Sequence, residues 1–132
     1  MKLRHTLKII SSIVLLTALI IFVSVYTQRI LDRDSQIMEQ CIEEIEKNIK
    51  KEEWVQAETS LKNINNIWSD VKKTWSALID HQEIDNIDVT LSRLQMLITA
   101  EEMPSALSEA AALKKYISHI PAKEKLGFEN LF

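Results

Sequence analysis

Residues 54–78 read WVQAETSLKNINNIWSDVKKTWSAL, and their spacing decides the fold. Trp54, Ala57, Leu61, Ile64, Trp68, Val71, Trp75 and Leu78 alternate by three and four, the period of a helix with one apolar stripe. A stripe of that size is not stable facing water, so the segment predicts a helix packed against others. Trp54, Trp68 and Trp75 all lie on this seam. With few aromatics elsewhere, they are expected as core fillers rather than as an exposed ligand platform.

The same period extends in both directions. Upstream, the polar Lys50-Lys51-Glu52-Glu53 stretch predicts a turn, and residues 30–50 carry Leu31, Met38, Ile42, Ile45 and Ile49, widened by Ile30, Ile37 and Cys41. Downstream the phase breaks: Ile84, Ile87, Leu91, Leu94 and Ile98 begin a new stripe. Asp80 with Glu83 three residues later fits a capping box, which places a helix start near Asp80. Glu101-Glu102-Met103-Pro104 closes this third helix, and Pro104 suits the first turn of a fourth. Ala106, Ala110, Leu113, Ile117 and Ile120 form the fourth stripe, which Pro121 is expected to end. Ala110, Ala111 and Ala112 would let that helix pack closely. The tail carries Leu126, Phe128, Leu131 and Phe132 and is expected to dock against the bundle.

Four amphipathic segments joined by short polar turns make an all-α domain of antiparallel helical hairpins. A compact bundle and an open, tetratricopeptide-like stack both satisfy the pattern. Among 132 residues, one Gly and two Pro argue against a β-rich fold. A single Cys excludes a disulfide framework and a cysteine-based zinc site.

The remaining fifth of the chain is of another kind. Residues 9–28, IISSIVLLTALIIFVSVYTQ, carry no charge, and as a helix they reach roughly 30 Å, the thickness of a hydrocarbon core. Tyr26 sits where an interfacial aromatic belongs. The run exceeds a signal-peptide core, and no small-x-small cleavage site closes it, so an uncleaved anchor is expected. Lys2, Arg4 and Lys8 precede the run, whereas Arg29 and Arg33 follow it interleaved with Asp32 and Asp34. That bias predicts residues 1–8 in the cytoplasm, 9–28 across the cell membrane and 29–132 as an extracytoplasmic helical domain. No helix breaker lies between residues 9 and 51, so the membrane helix can run straight into the first outer helix as one rod. Cys41 is too far from the apolar run to be a lipoprotein anchor.

Charge excludes more than it assigns. Residues 29–132 hold 13 Lys/Arg against all 19 Asp/Glu, net −6, with no basic stripe, so no nucleic-acid partner is expected. Lys72-Lys73 and Lys114-Lys115 read as solvated faces. There is no phosphate loop, no Ser/His/Asp arrangement and no HExxH, so neither enzyme activity nor a cofactor is expected. The densest polar cluster runs from Asp80 to Asp88. On a helix, His81, Asp85 and Asp88 share a face at i, i+4 and i+7. A capped helix start with acids set against the macrodipole is the plainer reading; a His–Asp contact or a divalent-cation face are the alternatives. His119 next to a helix end reads as structural. Cys41 reads as a small apolar residue on its stripe, with a dimer disulfide as the alternative.

Certain runs also resemble a known family. They are Asp80-His81-Gln82-Glu83-Ile84-Asp85-Asn86-Ile87-Asp88, then Leu91-Ser92-Arg93-Leu94, Tyr116-Ile117-Ser118-His119-Ile120-Pro121 and the ending Phe128-Glu129-Asn130-Leu131-Phe132. The chain resembles, over nearly its whole length, the bacterial family catalogued as domain of unknown function 4363, small single-span proteins of spore-forming Firmicutes. The Asn-Leu-Phe ending departs conservatively from the family's Asn-Ile-Phe. The resemblance implies a Gram-positive host and a membrane-tethered helical domain. It carries no activity, and it singles out His81, Glu83, Asp85, Arg93, His119 and Asn130, beside Asp88, as an interaction surface or structural polar set. The expectation is therefore an interaction module or accessory subunit of a cell-envelope membrane complex. Its partners would be the bilayer through residues 9–28 and another integral membrane protein, with homo-oligomerisation left open. The runner-up is a ligand- or metal-sensing bundle using the His81/Asp85/Asp88 face.

Overall fold

The computed structural model describes residues 1–131, apart from the side chains of Phe128 and Leu131. Four helices account for almost all of it: α1 (Lys2–Lys50), α2 (Trp54–Leu78), α3 (His81–Thr99) and α4 (Met103–Leu131). Helix α1 is one unbroken rod of 49 residues, about 73 Å long at the α-helical rise. Its first half is wholly unburied. There Ser12 and Thr17 donate their hydroxyls to the carbonyls of Lys8 and Ile13, four residues back, at 2.9 Å each. Polar groups in an apolar stretch are thus satisfied within the helix itself.

Beyond residue 28 the four helices form a closed antiparallel bundle. Helix α1 packs on α2 and α4, and α3 packs on the other sides of the same two helices. The α1–α4 contact distinguishes the compact bundle from the open stack, because it joins the first hairpin to the last. Cross-helix contacts give the register. Ascending α1, Gln28, Ser35 and Glu43 meet Pro121, Ile117 and Lys114 of α4 in turn. The core is the set of stripes read from the sequence: Leu31, Met38, Ile42, Ile45 and Ile49 of α1, Ala57, Leu61, Ile64, Trp68 and Trp75 of α2, and their counterparts on α3 and α4.

The turns show how the chain manages without glycine. Glu52 and Glu101 both take φ 56°, the left-handed conformation that ordinarily selects Gly or Asn. In each turn two N–H groups bond back to the preceding helix: Glu52 and Glu53 to Ile49 and Asn48, Glu101 and Glu102 to Ile98 and Leu97. These two matching turns lie at the end of the bundle away from the apolar half of α1. The α2–α3 turn, at the other end, is capped by Asp80, whose carboxylate accepts the Gln82 N–H at 3.0 Å. The expected capping box does not form: the Asp80 side chain takes the N–H two residues on rather than three, and Glu83 does not reach back but pairs with Lys123 of α4 at 3.1 Å.

Pro121 does not end the fourth helix; it lies inside α4, which continues to Leu131. Proline costs a helix interior about 3 kcal/mol, partly by leaving the carbonyl four residues back without its donor. Here that carbonyl belongs to Ile117, and the buried Ser35 hydroxyl donates to it at 3.1 Å. The Pro121 carbonyl in turn accepts from Gln28 Nε2 at 3.0 Å. Two α1 side chains thus brace the break, which is why the helix passes through it.

Candidate functional site

The polar groups that matter most are those buried among the helices. Two indoles on α2, one seven-residue repeat apart, are each tied to a carboxylate on a different neighbour. Trp75 Nε1 donates to Asp34 Oδ2 of α1 at 3.2 Å, and Trp68 Nε1 donates to Asp88 Oδ1 of α3 at 2.7 Å. The two rings meet edge to face, centroids 5.9 Å apart. Each carboxylate has one cation as well: Arg33 at 3.1 Å from Asp34 and Lys72 at 2.6 Å from Asp88. Asp34 is buried, and burying a carboxylate is costly unless its lone pairs are taken up, as an indole and a cation do here; the half-exposed Asp88 has the same two kinds of partner. The arrangement locks α1, α2 and α3 in register through one face of α2. Trp54, beside the α1–α2 turn, is only half-buried.

This geometry decides what the acidic cluster of α3 looks like. Asp88 is engaged with Trp68 and Lys72, while His81 and Asp85 are exposed to solvent and have no side-chain partner among the described residues. The three do not assemble as a ligand set, and among the described residues no group of three or more His, Cys, Asp or Glu could hold a metal ion. Arg93 is exposed on α3 and Asn130 on the last turns of α4. His119 is exposed in the middle of α4 rather than at a helix end, because the helix does not stop at Pro121. The seven polar positions therefore do not converge. Among the described residues, Glu83 links helices through Lys123, and Asp88 does so through Lys72 and Trp68.

Lys72 and Lys114 are more than solvated faces. Lys114 reaches Glu43 of α1 at 2.9 Å, and the hydrogen bond to that carboxylate raises its pKa above the usual lysine value. Lys123 is raised likewise by its bond to Glu83. Cys41 is half-buried, with Asn63 Nδ2 at 3.8 Å from its sulfur; burial first and the nearby Glu44 second push its thiol up, so it holds its proton more firmly than a free cysteine.

Asp34, Ser35 and Gln28 were not marked by motif. A signal for the first two existed: the α1 stripe skips from Leu31 to Met38, and a helix face needs a residue in that gap. Asp34 and Ser35 fill it, buried. Gln28 lines a shallow hollow between α1 and α4 with Asp32, Ser35, Gln36, Pro121 and Lys125, and its Oε1 is buried without a partner.

A family described as a domain of unknown function (DUF4363) matches residues 25–131 by its sequence profile. Searches of curated proteins and of solved structures find no match. The matched range starts inside the apolar run and takes in the whole bundle.

Proposed function

Given that this chain belongs to the family described as a domain of unknown function (DUF4363), we propose that it is a membrane-anchored extracytoplasmic bundle serving as an interaction module or accessory subunit. The observation that carries the reading is the continuity of α1. Its first half has a mean hydropathy of 2.6 over the most apolar stretch and is not buried at all, while its second half is a core helix of the bundle. A helix with no flexible joint between anchor and domain holds the domain at a set height and orientation over the bilayer. Such a mount suits docking onto another membrane protein better than capture of a diffusing substrate.

Orientation follows from charge. Lys2, Arg4 and Lys8 stand before the span with no acid among them. After it, Arg33 is neutralised by Asp34 at 3.1 Å, which leaves Arg29 as the one nearby cation without a recorded acidic partner among the described residues. The positive-inside rule then keeps the N-terminus in the cytoplasm. The test is crosslinking of the full-length tagged protein in intact membranes, with adducts identified by mass spectrometry. A reproducible adduct to one integral membrane protein is expected. Self-adducts alone, or none, would overturn the accessory-subunit reading.

A further inference from the structure

The last turns of α4 lie lower than the bundle needs. Gln28, which closes the uncharged run of α1, donates to the Pro121 carbonyl, so Pro121 stands level with the outer end of the span. The base of the bundle is at the same height: Glu83, three residues into α3, pairs with Lys123. Helix α4 nevertheless continues to Leu131, antiparallel to α1. Ten more residues extend it by about 15 Å toward the membrane side. Below the α2–α3 turn it has no bundle helix beside it except the apolar half of α1. Its surface there is open: Leu126 is 60% exposed, and a Cβ built at Gly127 meets nothing within 4 Å. Docking of the tail against the bundle is not what Leu126 does; Phe128 and Leu131 side chains, and Phe132, lie outside the described residues.

We propose that residues 122–131 of α4 form a second membrane contact, entering the outer leaflet of the bilayer beside the span of α1 with Leu126 among the lipids. The proposal rests on the anchoring reading above and adds to it a two-point mount. The occupant is lipid rather than a protein because the segment is continuous with the membrane face of α1 and falls at the depth of residues that are themselves apolar and unburied. Lys123 has Glu83 as counterion, Glu124 and Lys125 follow, and Leu126, Phe128 and Leu131 come deeper along the helix, with Glu129 and Asn130 between the last two. A second attachment also stops the rod from rotating about its own axis, which a single span does not.

The test uses the full-length chain with Cys41→Ser, reconstituted in phosphatidylcholine/phosphatidylglycerol vesicles. One cysteine at a time carries an environment-sensitive fluorophore: Leu126→Cys, or Gly127→Cys where the site is open, with Ile20→Cys as span control and Met96→Cys as water control. Lipids spin-labelled near the headgroup or deep in the chains supply the quenching. Expected are a blue-shifted emission at 126 and 127 and stronger quenching by the shallow label than by the deep one, while Met96→Cys is quenched by neither. Emission at 126 and 127 matching Met96→Cys, with Ile20→Cys still quenched by lipid, would overturn this inference and leave the anchor standing. Blue-shifted emission that no lipid label quenches would assign the segment to a protein partner or a second copy and overturn it too. Loss of lipid quenching at Ile20→Cys as well would sink the anchor and the second contact together.

Discussion

The two halves of α1 are equally apolar in parts and meet opposite fates. In residues 9–26 the apolar side chains point all round the helix and stay uncovered, Leu15 at 73% and Phe22 at 66% exposure. In residues 31–49 the apolar side chains Leu31, Met38, Ile42, Ile45 and Ile49 form one stripe, and each is fully buried. A stripe finds its complement in other stripes, whereas an apolar cylinder finds it only in a solvent that is itself apolar. The change occurs at Gln28–Leu31, where the first contacts to α4 begin. On the anchoring proposed above, one helix answers to two solvents, and each half predicts a different response to the same kind of damage.

The largest effect is expected in the bundle half. Trp75 is fully buried, and Trp75→Ala should cost about 3–5 kcal/mol, a large share of the stability of any small domain. It also strips Asp34 of its indole donor. Trp75→Phe keeps most of the packing and should cost about 1–3 kcal/mol, the cost of an unpartnered buried acceptor. Thermal unfolding of the full-length protein in detergent, followed by circular dichroism, ranks the two; equal midpoints for wild type and Trp75→Ala would remove Trp75 from the core. The span half should respond the other way. Leu16→Arg, near the middle of the apolar run, should weaken insertion by about 2.5–3.5 kcal/mol and leave bundle unfolding unchanged. Gln40→Arg, on the exposed side of the outer half, should alter neither. Alkaline extraction of membranes reads the first effect, and retention of Leu16→Arg equal to wild type would break the comparison.

The same contrast explains what was legible in the sequence. Periods of three and four marked the apolar core apart from Ile79 at the α2–α3 turn, and an uncharged run of 20 marked the apolar cylinder, because both are repeated signals. Closure of the bundle was not legible, since the four stripes are equally content in a ring or a stack; it emerges from α1 meeting α4. The extent of α4 was misread because proline carries a strong local rule, and the exemption comes from Ser35, 82 residues away in sequence. His81, Asp85 and Asp88 stand at i, i+4 and i+7 of α3. What they pack on is tertiary, and Asp88 alone meets α2. Glu52 and Glu101 occupy left-handed positions that no glycine advertised.

The brace at Pro121 offers a sharper probe at a middling scale. Ser35→Ala should cost about 1–3 kcal/mol, because the Ile117 carbonyl then has neither a helix N–H nor a hydroxyl. Pro121→Ala restores the N–H in the helix, so Ser35→Ala in that background should cost clearly less. The two changes should therefore couple by about 0.5–3 kcal/mol in a double-mutant cycle of unfolding free energies. Additive costs would mean that the hydroxyl does not stand in for the missing donor.

The smallest effect concerns the ion pair farther up the α1–α4 seam. Lys114 has its pKa raised, chiefly by the hydrogen bond to Glu43. A lysine that binds its proton more tightly when folded adds stability in full below its unfolded value, about 10.4. That contribution fades as pH rises through the higher folded value. Both side chains are more than a third exposed or close to it, 35% and 60%, so solvent screening holds the gain to about 0.2–1 kcal/mol. Lys114→Gln should accordingly lower the unfolding midpoint slightly at neutral pH. The gap to wild type should shrink in high salt and close in strongly alkaline buffer. A gap that is independent of both would assign the loss to packing of the lysine stem against α1. The seam of the bundle would then be apolar from Ser35 upward, with its charges ornamental to stability.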